Sequence, residues 1–294
     1  MLLKELIDAG VRSLSVLYPD REAREMVFIS LEYLIGTRRH THIVDPCHEV
    51  AEEDVVLVQN AFDRLASGEP LQYVVGKTFF YGREFAVTPA VLIPRPETEL
   101  LCRMALDSMK VAPGRHTRIL DLCTGSGCIA WTMALECPDS DVVAVDVSDA
   151  ALEVAAAQDF DSEISVSGAR VPRFIHGDVL DMESLISSLP VQGFDVILSN
   201  PPYVMDSEKA LMRRNVLEHE PHLALFVPDE DPLKFYKAVA SIAGKQLLPS
   251  GFGIVEINEA LGRETAGVFE SAGFSEVEVL KDLNDKDRFI CFRR

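Results

Sequence analysis

The chain has 294 residues, 48% of them hydrophobic and 26% charged, a soluble globular composition with room for one large domain and a smaller one. A formal net charge of −19 argues against broad, sequence-independent binding to nucleic acid phosphates and suits a basic protein partner. No apolar run approaches a membrane span, Glu5 and Asp8 stand where a signal peptide would be apolar, and six cysteines without a Cys-x-x-Cys pair read as thiols of a reducing cytoplasm.

Residues 1–72 carry helical periodicity. Leu3, Leu6, Ile7 and Leu14 recur at helical spacing, then Ala23, Val27, Leu31 and Leu34, then Val55, Val58, Phe62 and Leu65. Breaks fall at Gly10, Tyr18-Pro19-Asp20, Gly36 and Ser67-Gly68-Glu69-Pro70, so a small helical domain is expected. His40, His42, Cys47 and His48 fit no common zinc spacing and read as a solvated loop, so no metal is assigned.

Residues 73–94 read as a hairpin linker. Thr78-Phe79-Phe80-Tyr81 and Glu84-Phe85-Ala86-Val87 flank a two-residue turn at Gly82-Arg83. Ile93-Pro94-Arg95-Pro96-Glu97-Thr98-Glu99 then holds an extended segment before a helix over 97–110, with Pro96 and two acids suited to its first turn. Pro113-Gly114 ends that connection, and the large domain is expected to run from 95 to 294.

From Arg118 onward strands and helices alternate. Strands are expected at 119–122, 142–146, 171–175, 194–198 and 253–257, with helices at 128–136, 148–158, 232–247 and 263–272. Two closing strands, 276–280 and 287–292, finish the chain. The pattern is that of an α/β fold with a doubly wound, mostly parallel sheet.

Four strand ends carry chemistry. Asp121-Leu122-Cys123-Thr124-Gly125-Ser126-Gly127 joins a strand to a helix, a context in which glycines admit close backbone approach and a helix N-terminus offers free N–H groups. The third glycine of a dinucleotide loop is replaced by Ala130, so the loop suits a carboxylate and an amino group, as at the methionine end of S-adenosylmethionine, better than a pyrophosphate. Asp146 ends the second strand, where an acid takes the two hydroxyls of a ribose; helix capping falls more naturally to Ser148. Asp178 ends the third strand, placed to accept from an adenine amine, with Val179 packing on the ring. After the fourth stands Asn200-Pro201-Pro202-Tyr203, a stiff corner in which two prolines lack N–H groups and Pro201 holds Asn200 out of the helical region.

The Asn-Pro-Pro-Tyr sequence resembles the catalytic motif of methyltransferases that modify a planar amide or an exocyclic amine. Taken with Gly68-Glu69-Pro70-Leu71-Gln72-Tyr73, Val91-Leu92-Ile93-Pro94-Arg95-Pro96-Glu97-Thr98-Glu99, the glycine loop, Glu220-Pro221 with Ala224-Leu225, and Lys281-Asp282 with Asp287-Arg288, the chain resembles the protein-(glutamine-N5) methyltransferases that act on class 1 peptide chain release factors. The resemblance implies a Rossmann-like class I methyltransferase sheet, a helical N-terminal domain that recognises the substrate, a hairpin linker, and S-adenosylmethionine as methyl donor. It implies donor contacts from Asp121, Cys123, Thr124, Gly125, Ser126, Gly127, Asp146, Asp178, Val179 and Asn200. It further implies that Asn200, Pro201, Pro202 and Tyr203 hold the glutamine of a Gly-Gly-Gln loop, with Glu220 among the substrate contacts. In that reading the Asn200 oxygen and a corner carbonyl, that of Pro201, accept the amide hydrogens, and Tyr203 packs on the amide. Direct nucleic acid binding is not expected. Two departures stand out: Cys123 replaces the usual first glycine of the loop, and Glu256-Ile257-Asn258-Glu259 departs from the usual Glu-x-Gly region, which is expected to lie away from the chemistry. The alternative is a DNA adenine-N6 methyltransferase, which shares the corner but requires a basic cleft and a flipped base.

Overall fold

A computed structural model describes residues 1–109 and 116–294, so the Pro113-Gly114 break and the end of the helix expected over 97–110 lie outside the described residues. The chain divides into two units, Met1–Lys77 with Met212–His219, and Thr78–Leu211 with Glu220–Arg294.

In the first unit the three periodic segments become α1 (Leu3–Leu14), α2 (Asp20–Ile35) and, after the single turn α3 (Thr41–Val44), α4 (Glu52–Ala66). The short α5 (Leu71–Val75) closes the unit. Leu3, Leu6, Leu14, Val27, Leu31 and Val58 meet in one buried cluster, as the 3.6-residue spacing requires. Gly10 is not a break. It lies inside α1, where a Cβ would stand 2.5 Å from the Phe62 ring, so the glycine lets α1 and α4 approach closely. Gly36 does end α2, in the left-handed conformation with φ +68°.

The second unit opens, from Thr78, within the hairpin of β1 (Lys77–Phe80) and β2 (Arg83–Ala86). The turn is Tyr81-Gly82, with φ of 50° and 76°, one residue earlier than the sequence reading places it. A two-residue turn that follows the strand twist needs positive φ at both central residues, and Arg83 belongs to the strand. There its guanidinium pairs with Glu136 at 2.8 Å and Glu163 at 2.7 Å. The hairpin is more than a linker: Phe80 and Phe85 are buried in this unit's core, Phe85 edge-on to Phe160 at 5.0 Å.

After α6 (Pro96–Met109) the alternating part runs β3 (Thr117–Leu122), α7 (Cys128–Glu136), β4 (Ser140–Asp146), α8 (Asp149–Ala156), α9 (Asp161–Ser167), β5 (Arg173–His176), α10 (Met182–Ser188) and β6 (Phe194–Ser199). The connection beyond the Pro-Pro corner forms β7 (Val204–Met205), α11 (Arg214–His219) of the first unit, and β8 (Phe226–Val227), with β7 and β8 paired in parallel. Then follow α12 (Lys234–Gln246), β9 (Leu247–Glu256), α13 (Gly262–Ser271), β10 (Ser275–Lys281) and β11 (Asp287–Arg293). The main sheet has the order β10-β11-β9-β6-β3-β4-β5; its five strands from β9 to β5 are parallel, and β11 runs antiparallel to both neighbours. Apolar side chains cover both faces, Ile119, Ala144 and Val196 in one cluster, Leu120, Val143 and Ile197 in the other. Strands buried on both sides read as continuous hydrophobic runs, which is why they were legible.

Register brings the functional ends level. Leu122 pairs with Val145 on one side and Ser199 on the other, and Ser199 pairs with Val255. The chain leaves β3 toward β4 and β5, then returns to β6 and β9, so the switch point lies between β3 and β6. The glycine loop and the Asn-Pro-Pro-Tyr corner therefore emerge side by side.

Candidate active site

A cavity of about 290 Å³ opens at this switch point, over the carboxyl ends of the parallel strands. Cys123, Thr124, Gly125 and Ser126 form one wall, Asp146 and Asp178 with Val179 the next, and Asn200 with Pro202 a third. Leu92, Pro94 and Arg95 from the segment before α6, and Pro221, Leu223 and Ala224, complete it.

The loop is shaped by backbone needs. Cys123 has φ +63° and Gly125 φ +53°, and a Cβ at Gly125 would meet no atom within 4 Å, so the chain there lies open toward a ligand. Gly127 does different work and does not line the cavity. It caps α7 with φ +79°, and a Cβ would stand 3.0 Å from that of Ala155, so a glycine is needed for α7 to pack on α8. Burial pushes the Cys123 thiol well above its ordinary pKa, so it is a neutral group.

Asp121, expected as a donor contact, is fully buried beneath the loop and not on the cavity wall. Its Oδ2 accepts from the Thr124 hydroxyl at 2.5 Å. Burial pushes its pKa up to about 7; the Thr124 bond opposes the rise and the charge of Asp146 adds to it. Asp146 does face the cavity. Its Oδ2 accepts the Gly125 N–H at 2.8 Å and its Oδ1 the Ser148 N–H at 2.9 Å, so the carboxylate is held flat across the loop. Each oxygen keeps a second lone pair for a hydroxyl donor. Burial raises the pKa of Asp146, against the pull of the Ser148 and Gly125 N–H groups. Ser148 caps α8 through Ala151 N–H, as expected. Asp178 spends Oδ1 on the Leu180 N–H at 2.8 Å and also faces the cavity.

At the corner, Asn200 Nδ2 donates to Thr98 Oγ1 at 3.1 Å, and Thr98 donates to Glu256 Oε2 at 2.7 Å. Tyr203 donates its hydroxyl to Glu256 Oε1 at 3.0 Å, and its carbonyl accepts from Asn258 Nδ2 at 3.1 Å. The Tyr203 hydroxyl is thus tied to this buried network, Tyr203 does not line the cavity, and burial raises its pKa well above the phenol range. Pro201 is likewise buried and off the cavity wall, while Pro202 is on it. The expectation that Glu256-Ile257-Asn258-Glu259 lies away from the chemistry is overturned. Glu256 and Asn258 brace the corner, because β9 is the neighbour of β6 and Val255 stands level with Ser199.

Glu220 is buried and does not reach the cavity. It accepts the Ile93 N–H at 3.2 Å and pairs with Arg95 at 2.6 Å, which clamps the segment before α6 to the loop that carries Pro221.

The donor set fits S-adenosylmethionine. Two acids at strand ends can take hydroxyl and amine hydrogens, the exposed stretch at Gly125 admits a close backbone approach, and apolar side chains such as Val91, Leu92, Val179 and Phe235 share the wall with them.

Comparison with known proteins gives the same picture. A family model described as methyltransferase small domain matches residues 98–224, and one described as PrmC N-terminal domain matches residues 5–76. A release factor glutamine methyltransferase from Flavobacterium psychrophilum is 36% identical over 291 residues, covering 99% of this chain and 98% of that protein. Another, from Bacteroides thetaiotaomicron, is 37% identical over 298 residues, covering 98% and 99%. Among solved structures, the hMettl16 catalytic domain in complex with a 3'UTR hairpin aligns with a TM-score of 0.52 at 12% identity over 82% of each chain, a likeness of fold.

Proposed function

Because the chain belongs to the release factor glutamine methyltransferase family, we propose that it methylates the side-chain nitrogen (N5) of the glutamine in the Gly-Gly-Gln loop of class 1 peptide chain release factors. S-adenosylmethionine is the donor, and when bound it supplies a methyl group already activated on a positively charged sulfur. The observation that carries the reading is that Asn200 shares one cavity with the glycine loop and the two strand-end acids.

The protein's own task is geometry and electrostatics. The loop from Cys123 to Ser126 receives the methionine end, the carboxylate of Asp146 the ribose hydroxyls, and Asp178 with Val179 the adenine. A glutamine nitrogen is a weak nucleophile because its lone pair is delocalised into the carbonyl. Asn200 Oδ1 accepts one of its hydrogens, which turns lone-pair density toward the methyl and stabilises positive charge growing on nitrogen. As the nitrogen–methyl bond would form, the sulfur–methyl bond would break with its electron pair left on sulfur and one amide hydrogen would leave as a proton to water, so no strong base is required. Glycines beside the glutamine let its backbone enter the cleft, and the helical first unit grips the rest of the factor.

The test is methyl transfer to a purified release factor, read by peptide mass. Transfer of one methyl to the Gly-Gly-Gln glutamine is expected, with none to duplex DNA. Methylated adenine without a mass gain on that glutamine would replace this reading.

A further inference from the structure

The acid that sequence reasoning sets aside stands two hydrogen bonds from Asn200. Glu256 is 1% exposed at the end of β9, and its two carboxylate oxygens each receive a hydroxyl, Oε2 that of Thr98 at 2.7 Å and Oε1 that of Tyr203 at 3.0 Å. We propose that Glu256, acting through Thr98, is a positioning residue that dictates which end of the Asn200 amide faces the substrate. This deepens the proposed reaction and rests on it for the role of Asn200 Oδ1.

Donor and acceptor counts decide the orientation of the amide. An ionised carboxylate only accepts. A threonine hydroxyl has one hydrogen, and Thr98 spends it on Glu256. Thr98 Oγ1 can then only accept from Asn200, so the Asn200 atom 3.1 Å away must be the nitrogen. Turning the amide over would set its oxygen against the Thr98 oxygen, two acceptors without a hydrogen between them. The carbonyl end is thereby left for the cavity, the orientation that accepts an amide hydrogen. Packing alone would not give this result, because the two ends of an asparagine amide are nearly the same size.

Glu256 receives two hydroxyl hydrogens, the pattern of an acceptor, although its burial favours the neutral form. Burial raises its pKa and the Glu97 charge adds to that, while the Thr98 and Tyr203 hydroxyls and the Arg288 guanidinium act in the opposite direction. Arg288 is itself held by Asp282 and Glu259, each at 3.1 Å. Tyr203 is pinned independently, its carbonyl accepting from Asn258. The two ends of the corner are therefore braced, Asn200 through Thr98, by Glu256 at the end of β9 and by Asn258 just beyond it.

Thr98→Val removes the hydroxyl while keeping the volume, and Thr98→Ser restores it. With a release factor as substrate, Thr98→Val is expected to lower kcat by about 10–100-fold, with KM and the donor Kd within about threefold. Thr98→Ser should recover most of that rate. Glu256→Gln, which can donate as well as accept, should lower kcat too, and the Thr98→Val/Glu256→Gln pair should be no slower than the slower single variant. A parent-like rate in Thr98→Val, an equal loss in Thr98→Ser, or losses that multiply would each overturn the proposal. Neutron diffraction from the deuterated parent protein gives a readout without substrate. Deuterons on the Asn200 atom that faces Thr98 Oγ1 are expected, and an oxygen there overturns the relay whatever the transfer assay shows. A parent that fails to methylate the factor would instead remove the reaction proposed above, leaving the amide orientation to be decided by the nuclear density.

Discussion

Asp146 offers a test in which the conservative substitution is the damaging one. Its two oxygens accept the Gly125 and Ser148 N–H groups at 2.8 and 2.9 Å, so both inward lone pairs are committed. Asp146→Asn keeps the shape but presents an NH2 group to one of those N–H donors, so either the glycine loop or the start of α8 must retreat. The variant loses at least one hydrogen bond to a charged acceptor, about 1.5–3 kcal/mol. It also loses an acceptor for the ribose. Donor affinity should fall by about 10–150-fold. Asp146→Ala removes the same acceptors but opens space for water to satisfy the N–H groups, so Asn should bind no better than Ala despite its closer shape. Isothermal titration of S-adenosylmethionine into the three proteins, with thermal melts to establish folding, measures this. Parent-like affinity in Asp146→Asn, or Asn binding clearly more tightly than Ala, would refute the geometry assigned to this carboxylate.

Asn200→Ala should lower the transfer rate by about 10²–10³ while the donor Kd stays within a few fold, since it removes a polar group needed in the transition state; unchanged single-turnover rates would make the corner purely structural. At Cys123, held at φ +63°, Gly should be more stable than Ala by about 1 kcal/mol in urea unfolding, because both lack the thiol and only Ala keeps the left-handed strain; equal stabilities would remove strain from the account. The buried carboxyl of Asp121, pushed up to about 7 from 3.8, keeps a proton that the unfolded chain has already lost. The folded state binds more protons between these values, so stability falls as pH rises from about 4 to about 7 and levels off above. Asp121→Asn removes that slope, so its stability relative to the parent should climb by up to about 4 kcal/mol between pH 4 and pH 8; a difference independent of pH would count against the buried titration.

What the sequence makes legible is whatever repeats or ends a run. The apolar strands β3, β4 and β6 are continuous hydrophobic stretches, and the polar residues that stop them, Asp146 and Asn200, mark the edge on which a ligand sits. Glycines are less readable, because the letter does not say which need it meets. Gly10, Gly125 and Gly127 serve a close helix crossing, a stretch of backbone open toward the cavity and the packing of α7 on α8 respectively. The short pair β7 and β8, two residues each, is beyond any periodicity argument. Tyr81 took the first turn position although its side chain suits a strand, since the pairing of β1 with β2 outweighs the cost of positive φ there.

Glu256 reaches the corner through a strand order that the linear sequence does not display. The rule applied to Asp146 and Asp178, that an acid ending a parallel strand faces the ligand edge, applies equally to an acid ending Gly253–Ile257. What the rule lacked was strand order. Sequence neighbours suggest order only for consecutive strands, whereas β9 lies beside β6 across a connection of some fifty residues, and Thr98 and Glu256 are 158 positions apart. Once β6 and β9 are paired with Ser199 opposite Val255, the next residue on each strand is fixed as well: Asn200 and Glu256 exit the sheet together. A buried acid at that point must be hydrogen-bonded or it would be strongly destabilising, and the hydroxyl groups within reach are those of the two motif residues Thr98 and Tyr203. The threonine of Ile-Pro-Arg-Pro-Glu-Thr-Glu and the tyrosine of Asn-Pro-Pro-Tyr thus answer to one carboxylate, so motifs about a hundred residues apart in the chain form a single device for aiming an amide.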